Sequence, residues 1–231
     1  TGNRHPVKQR GYRMSEEGHR KVNEECQRML REGVIRESYS PWSSPVVLVR
    51  KKMGEVRFCV DYRKLNELTV KDSYPLPLIE ETLGALGGCQ FFTTLDLASG
   101  YWQIPVREED KEKTAFATRE GLFEFNVMPF GLCNAPATFS RLMMGVLREL
   151  NWQHCLVYLD DIIVGGKDVA QATNRLRMVF DRLKDANLTL KSSKCKFLRR
   201  EVEFLGHLVN EQGVQADPDK KIGRASCRER V

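Results

Sequence analysis

Residues 158–164 read YLDDIIV, directly after the apolar run HCLV at 154–157. β-Branched and aromatic residues flank the acidic pair Asp160–Asp161, a pattern that predicts a strand, a tight turn and a second strand. The turn itself requires only one acidic residue. Two adjacent carboxylates in an apolar frame raise each other's pKa unless a cation lies between them. The pair therefore indicates cation chemistry as well as a turn.

A third acid ends another apolar run. FFTTLDL at 91–97 predicts a buried strand that ends near Asp96. If one sheet brings both strand ends to one edge, the three carboxylates form a set of hard oxygen donors that suits Mg²⁺. Such a cluster supports two-metal phosphoryl transfer. Each acid alone also fits a plainer interpretation as a cap, an ion-pair partner or a turn residue, and the residues alone leave that choice open.

The remaining sequence mixes helical and strand patterns without a strict βαβ alternation, which favours the α+β class. Two hairpins are predicted, one from 46–49 and 56–60 and one from 113–118 and 122–127. Helical periodicity follows Ser15 as far as Gly33. Further helices are predicted at 79–86, 134–150 and 168–186.

The composition is that of an ordinary globular protein. The 231 residues carry 37 Lys and Arg against 31 Asp and Glu, a net charge of +6, and 41% are hydrophobic. The basic excess permits a polyanionic partner, although at this charge a solvated surface of mixed charge is the default interpretation. No apolar run reaches the roughly 20 residues of a membrane span, so no membrane partner is expected. The seven cysteines form no C-x-x-C pair, which predicts a reducing compartment without disulfides or zinc.

Five ordered sequence blocks resemble the reverse transcriptase domain of gypsy-like (Metaviridae) LTR retrotransposons. The resemblance covers essentially residues 1–221. The blocks are PWSSPVVLVRKKMGEVRFCVDYRKLN (41–66), LDLASGYWQIPV (95–106), TAFATREGLFEFNVMPFGLCNAPATF (114–139), YLDDIIV (158–164) and EFLGHLV (203–209).

The resemblance implies a right-hand polymerase fold, with a ferredoxin-like palm sheet that carries helices on one face. Fingers and palm are expected, with the thumb largely missing after Lys221. The implied segments are a linker (1–14), fingers with the first palm elements (15–90), palm (91–118), fingers and palm (119–150), and palm with the primer grip (151–221). Residues 222–231 (IGRASCRERV) resemble the translation of a sequencing-adapter oligonucleotide; a genuine basic tail is the alternative.

Carried over residue by residue, the resemblance makes Asp96, Asp160 and Asp161 the catalytic ligands of two Mg²⁺ ions, with Mn²⁺ as a substitute. Tyr101 corresponds to the steric gate that rejects a 2′-hydroxyl; a core aromatic is the plainer alternative. The other implied residues contact the incoming dNTP or form the primer grip. The dNTP set is Lys51, Arg57, Leu97, Phe130 and Gly131, and the primer grip is Leu205, Gly206 and His207.

The implied function is RNA-directed DNA polymerase, part of a retrotransposon Pol polyprotein. Implied partners are an RNA or DNA template with its primer, dNTPs, and the rest of Pol: thumb, connection and RNase H. The implied location is intracellular, in a cytoplasmic virus-like particle or in the nucleus. One alternative is a catalytically incompetent fragment that only binds nucleic acid. Another is an RNA-directed RNA polymerase, which Tyr101 disfavours because RNA synthesis must accept the 2′-hydroxyl.

Overall fold

The computed structural model of the protein describes residues 1–2, 4–50, 56–75, 83–84 and 86–216, without the side chains of residues 50 and 216. Contacts divide the chain into two units. The first unit is Thr1–Tyr74 with Ser99–Phe139, and the second is Pro75–Ala98 with Ser140–Val231. This division is coarser than the predicted fingers and palm segments, which stay a prediction.

Helices and strands alternate irregularly along the chain. The helices whose full bounds lie within the described residues are α1 (Glu16–Arg31), α2 (Arg63–Leu68), α3 (Glu108–Lys111), α4 (Ala135–Val146) and α5 (Val169–Asp185). Short 3₁₀ turns occupy Gly100–Gln103, Glu112–Thr114 and Ser192–Lys194. The strands are β1 (Ile35–Glu37), β2 (Ser44–Arg50), β3 (Val56–Val60), β4 (Phe91–Asp96), β5 (Phe116–Ala117), β6 (Leu122–Phe125), β7 (Cys155–Tyr158), β8 (Asp161–Gly166), β9 (Lys196–Arg199), β10 (Glu201–Phe204), β11 (His207–Asn210) and β12 (Gly213–Ala216).

Helix α1 forms where its periodicity predicts. The Ser15 hydroxyl accepts a hydrogen bond from the Gly18 amide, which satisfies one of the free N–H groups of the first turn. Its buried face carries Val22, Cys26 and Met29, which join the core of the first unit. This face, rather than intrinsic helix propensity, supplies most of the helix's stability.

The sheet of the first unit has the order β1-β6-β5-β2-β3. Both predicted hairpins are confirmed, β2 with β3 and β5 with β6, each antiparallel. The sequence gives no sign of the parallel pairing between β2 and β5, because that pairing joins residues far apart along the chain. Tyr62 and Phe116, the latter in β5, are among the fully buried side chains in the core of this unit.

The second unit holds an antiparallel sheet of order β7-β8-β4-β9 and a smaller sheet of order β10-β11-β12. Phe92 and Ile163 pack together in its core. Helix α5 lies against β8, and a Cβ on Gly166 would lie 2.6 Å from the Ala172 amide nitrogen. Only glycine allows this close approach.

The predicted α+β class is confirmed by these sheets and helices. The predicted helices at 134–150 and 168–186 are present with somewhat shorter bounds, as α4 and α5. The predicted helix at 79–86 falls mainly outside the described residues, as do Lys51 and the tail at 222–231. Within the described ranges, no helix is both long enough and apolar enough to cross a membrane.

Candidate active site

The three acids singled out by the sequence converge at one edge of the sheet in the second unit. Asp96 is the last residue of β4, and Asp161 is the first residue of β8. The two are register partners in the antiparallel pairing of these strands. Asp160 lies directly before Asp161, in the two-residue turn Leu159–Asp160 that connects β7 to β8. Strand pairing therefore brings together carboxylates that are distant in sequence.

The turn that carries Asp160 contains a strained residue. Leu159 has a φ of 54°, in the left-handed region that disfavours side chains with a Cβ. Immediately after the turn, Ile162 and Ile163 are fully buried and fix β8 in the core. A rigid strand thus holds a strained turn, an arrangement that often accompanies functional sites.

Asp161 lies in an environment that disfavours its charged form. Burial, together with the negative charges of Asp160 and Asp96, raises the pKa of Asp161 to about 6. The Lys194 ammonium acts in the opposite direction. Added positive charge at this edge would lower the pKa of Asp161 and favour its ionised form.

Lys194 already supplies one positive charge there. Its Nζ atom lies 2.9 Å from Oδ2 and 3.2 Å from Oδ1 of Asp96. The backbone holds the lysine segment in place, because the Lys191 amide donates to the Asp96 carbonyl and the Ala98 amide donates to the Thr189 carbonyl. Sequence reasoning missed Lys194, since no local pattern links it to an acid 98 residues away.

The donor set of this edge fits a hard divalent cation. Three carboxylates provide the oxygen ligands that Mg²⁺ prefers, and the raised pKa of Asp161 is what a cation would relieve. In the described ranges, no three His, Cys, Asp or Glu side chains are already grouped closely enough to hold one ion. Asp96 instead pairs with Lys194. The assignment of the acids as metal ligands therefore stays a prediction.

Two of the predicted nucleotide-contacting side chains meet in the first unit. Tyr101 lies in the 3₁₀ turn Gly100–Gln103, which follows Ser99 with its left-handed φ of 49°. The Tyr101 ring lies 5.1 Å from that of Phe130 and 5.4 Å from that of Phe139, measured between centroids. Phe139 is fully buried. Tyr101 therefore packs against the buried ring of Phe139 on one side and against the partly exposed ring of Phe130 on another.

Arg57 extends this aromatic cluster from strand β3. Its guanidinium carbon lies 5.0 Å from the centroid of the Phe130 ring. Phe130 itself is 39% exposed. A charged, donor-rich group thus lies on the outer side of the aromatic cluster.

The turn that carries Phe130 and Gly131 is fixed by its backbone. Gly131 has a φ of 96°, and a Cβ there would lie 3.4 Å from the Val60 carbonyl oxygen. The Asn66 side chain donates to the Gly131 carbonyl at 2.8 Å and accepts from the Cys133 amide at 2.9 Å. Sequence reasoning missed Asn66 as the brace of this turn, because only the tertiary fold brings α2 to it.

Two further residues, Leu97 and Lys51, were predicted to contact the nucleotide. Leu97 as a whole residue is only 2% exposed, so its contact with a nucleotide stays a prediction. Lys51 lies outside the described residues.

The three predicted primer-grip residues form the connection between β10 and β11. Phe204 and His207 are register partners, and Leu205 and Gly206 make the turn with φ values of 50° and 78°. Positive φ at both central residues is typical of the tight two-residue hairpin. His207 Nδ1 lies 3.1 Å from the Leu205 carbonyl oxygen. The three residues thus form one compact hairpin tip in the second unit.

Sequence comparison relates this chain to known proteins. The profile of the family described as reverse transcriptase (RNA-dependent DNA polymerase) matches residues 49–209. This range contains all the acids and the aromatic cluster.

Similar proteins include two Drosophila melanogaster polyproteins. The Retrovirus-related Pol polyprotein from transposon 297 is 47% identical over 95% of this chain, and that from transposon gypsy is 42% identical over 86%. The chain spans 21% and 20% of their lengths, respectively.

A solved structure shares the fold. The foamy viral protease-reverse transcriptase in complex with an RNA/DNA hybrid superposes with a TM-score of 0.87 at 26% identity, over 95% of this chain and 29% of that one. The similarity confirms the predicted right-hand polymerase architecture with its fingers and palm. The profile match and the polyprotein relatives together establish that this chain belongs to the reverse transcriptase (RNA-dependent DNA polymerase) family.

Proposed function

We propose that this chain catalyses RNA-directed DNA synthesis, transferring nucleotides from dNTPs to the 3′-hydroxyl of a primer. The observation that carries the proposal is the register pairing of Asp96 with Asp161, with Asp160 in the adjoining turn, in a chain of the reverse transcriptase family. In each transfer, the 3′-oxygen forms a bond to the α-phosphorus. The bond from that phosphorus to the oxygen bridging to the β-phosphate breaks, the hydroxyl proton passes to water, and pyrophosphate leaves.

The acids contribute position and charge to this reaction. Asp96, Asp160 and Asp161 would hold two Mg²⁺ ions, or Mn²⁺ in their place. When bound, these ions lower the pKa of the attacking hydroxyl and neutralise the charge on the leaving group. The Asp96 carboxylate must part from Lys194 to serve as such a ligand, since its two oxygens lie 2.9 and 3.2 Å from the ammonium. Such transfers depend almost entirely on positioning and electrostatics.

In the aromatic cluster Tyr101 would select the nucleotide by its sugar, and the neighbouring Arg57 would bind its phosphates. The Tyr101 ring packs against Phe139 and Phe130, and this packing would oppose its displacement by a 2′-hydroxyl. Arg57 presents planar N–H donors that suit phosphate oxygens. Lys51, Leu97 and Gly131 complete the proposed dNTP contacts, and Leu205, Gly206 and His207 would position the primer end.

The relatives support a nucleic-acid partner for this chain. The foamy viral protease-reverse transcriptase is in complex with an RNA/DNA hybrid, which supports a primed template as the partner of this chain. Since the chain spans about a fifth of the related Pol polyproteins, we also propose thumb, connection and RNase H segments as partners. We also propose an intracellular location for the reaction, in a cytoplasmic virus-like particle or in the nucleus.

Primer extension on an RNA template tests the proposal. The full chain is incubated with a labelled DNA primer, dNTPs and Mg²⁺, and a DNA template and an rNTP mixture serve as comparisons. We expect extension with dNTPs on RNA. Salt-sensitive template binding without extension would instead favour a fragment that only binds nucleic acid. Extension with rNTPs alone would favour an RNA polymerase.

A further inference from the structure

The Arg57 guanidinium lies over the face of the Phe130 ring. The distance from its central carbon to the ring centroid is 5.0 Å. Both groups belong to the first unit, and Arg57 is exposed on β3. In the part of the chain that the structure describes, no carboxylate pairs with Arg57. The ring is thus the group that the guanidinium rests on.

The Phe130 ring is itself held from below. Its centroid lies 5.1 Å from that of the Tyr101 ring and 6.3 Å from that of the Trp102 ring. The Tyr101 ring centroid in turn lies 5.4 Å from that of the buried Phe139. The turn beneath Phe130 is braced by Asn66 through the Gly131 carbonyl. These contacts fix the position of the Phe130 ring although it is 39% exposed, and the fixed ring can in turn hold the Arg57 guanidinium in place.

Stacking on a ring leaves the hydrogen-bonding capacity of the guanidinium free. A guanidinium carries five N–H donors in its plane, and contact with an aromatic face uses none of them. A carboxylate or amide partner would occupy one or two of these donors. An arginine held by an aromatic ring is consequently both positioned and available for phosphate oxygens.

We propose that Phe130 is a positioning residue for Arg57: its ring holds the guanidinium ready to bind the triphosphate of the incoming nucleotide. This inference rests on the proposed polymerase function. It assigns the contribution of Phe130 to nucleotide affinity through Arg57 rather than through direct contact with the base or sugar. The loss of nucleotide affinity in a variant without both the ring and the arginine should therefore be smaller than the sum of the two single losses.

A double-mutant cycle in single-nucleotide incorporation measures this dependence. Phe130→Leu removes the ring, Arg57→Ala removes the cation, and the double variant combines them. Phe130→Leu should raise KM for dNTP by about two- to fivefold, the ratio that an exposed cation–π contact makes in an equilibrium constant, with kcat little changed. In the Arg57→Ala background the same change should leave KM unaltered.

Two further variants separate positioning from general damage. Phe130→Tyr keeps the ring and should restore most of the affinity lost in Phe130→Leu. Phe180 lies on α5 in the second unit and is 36% exposed, so Phe180→Leu is a matched control that should leave KM unchanged. Additive effects of Phe130→Leu and Arg57→Ala, or an equal loss in Phe130→Tyr, would overturn the inference.

Binding of inorganic tripolyphosphate keeps the inference testable if the wild-type chain incorporates no nucleotide. Isothermal titration calorimetry would then measure affinity for the same four proteins of the cycle. The positioning role is supported if Phe130→Leu weakens tripolyphosphate binding in the wild-type background but not in the Arg57→Ala background. This result counts even if the chain has no polymerase activity. Equal weakening in both backgrounds, or none in either, would overturn it.

Discussion

Asp96 and Asp161 are register partners across the antiparallel pairing of β4 and β8. Two carboxylates in this position repel each other, and Asp160 adds a third negative charge at the same edge. The structure offsets part of the repulsion with Lys194 and part with a raised pKa of Asp161. The edge thus carries more negative than positive charge, which favours binding of an added cation.

The first prediction concerns stability against pH. The pKa of Asp161 is about 6 in the folded chain, above the ordinary value of 3.8. Its protonated form therefore stabilises the fold fully below about pH 4, and this stabilisation is lost as pH rises through about 6. The change is on the order of 1 kcal/mol once solvent screening of a partly exposed group is included. Urea unfolding from pH 4 to 7.5 measures it.

Asp161→Asn serves as the matched variant for that profile. It should lose the decline in unfolding free energy between about pH 4 and 6 and should be more stable than the wild type at pH 7.5. Asp181→Asn, on the exposed surface of α5, should leave the profile as it is. An unchanged decline in Asp161→Asn would assign it to another group.

The second prediction concerns Lys194. Lys194→Met should destabilise the chain by about 0.5–1 kcal/mol at pH 7.5, because a partly exposed ion pair is lost beside two other acids. It should also raise the pKa of Asp161 further, moving the midpoint of the pH profile upward. Lys196→Met removes a nearby lysine whose Nζ lies 3.8 Å from Glu203, and is the control. Equal losses in both variants would contradict a special role for Lys194.

The third prediction concerns Tyr101. Tyr101→Ala should raise the ratio of kcat/KM for an rNTP to that for the matching dNTP by about tenfold or more, because the ring no longer fills the space of the 2′-hydroxyl. Competitive single-nucleotide incorporation measures the ratio. Tyr39 is 99% exposed, and Tyr39→Ala should leave the ratio unchanged. Unchanged discrimination in Tyr101→Ala would show that the gate lies elsewhere.

The fourth prediction concerns Asn66. Asn66→Ala removes both hydrogen bonds that brace the turn at Gly131 and Cys133. We expect a loss of about 1–2 kcal/mol in unfolding free energy and a higher KM for dNTP, since Phe130 and Arg57 lose their support. Asn174→Ala, at an exposed position of α5, is the control. A normal KM in Asn66→Ala would show that the turn needs no brace.

Local patterns in the sequence were sufficient for most of the secondary structure near the site. Alternating and β-branched runs predicted the β2–β3 and β7–β8 hairpins, and periodicity predicted α1 and α5, because these depend on near neighbours. The acids were found because Asp96 and the Asp160–Asp161 pair interrupt apolar runs.

Features that depend on distant segments were not predictable from such patterns. The Lys194 ion pair arises from the pairing of β9 with β4, which no local signal specifies. The same holds for the parallel pairing of β2 with β5 and for the contact between Arg57 and Phe130. Family resemblance supplied the role of Arg57 but not the ring beneath it.

The most direct test of the account is the rate of single-nucleotide incorporation on a primed RNA template by three variants, Asp96→Asn, Asp160→Asn and Asp161→Asn. Each retains the size of the side chain and removes its charge, and Asp181→Asn is the control. The account predicts that each of the three lowers the rate by at least about a hundredfold, while the control keeps the wild-type rate. A rate near that of the wild type in any of the three would contradict the assignment of these carboxylates as one catalytic centre.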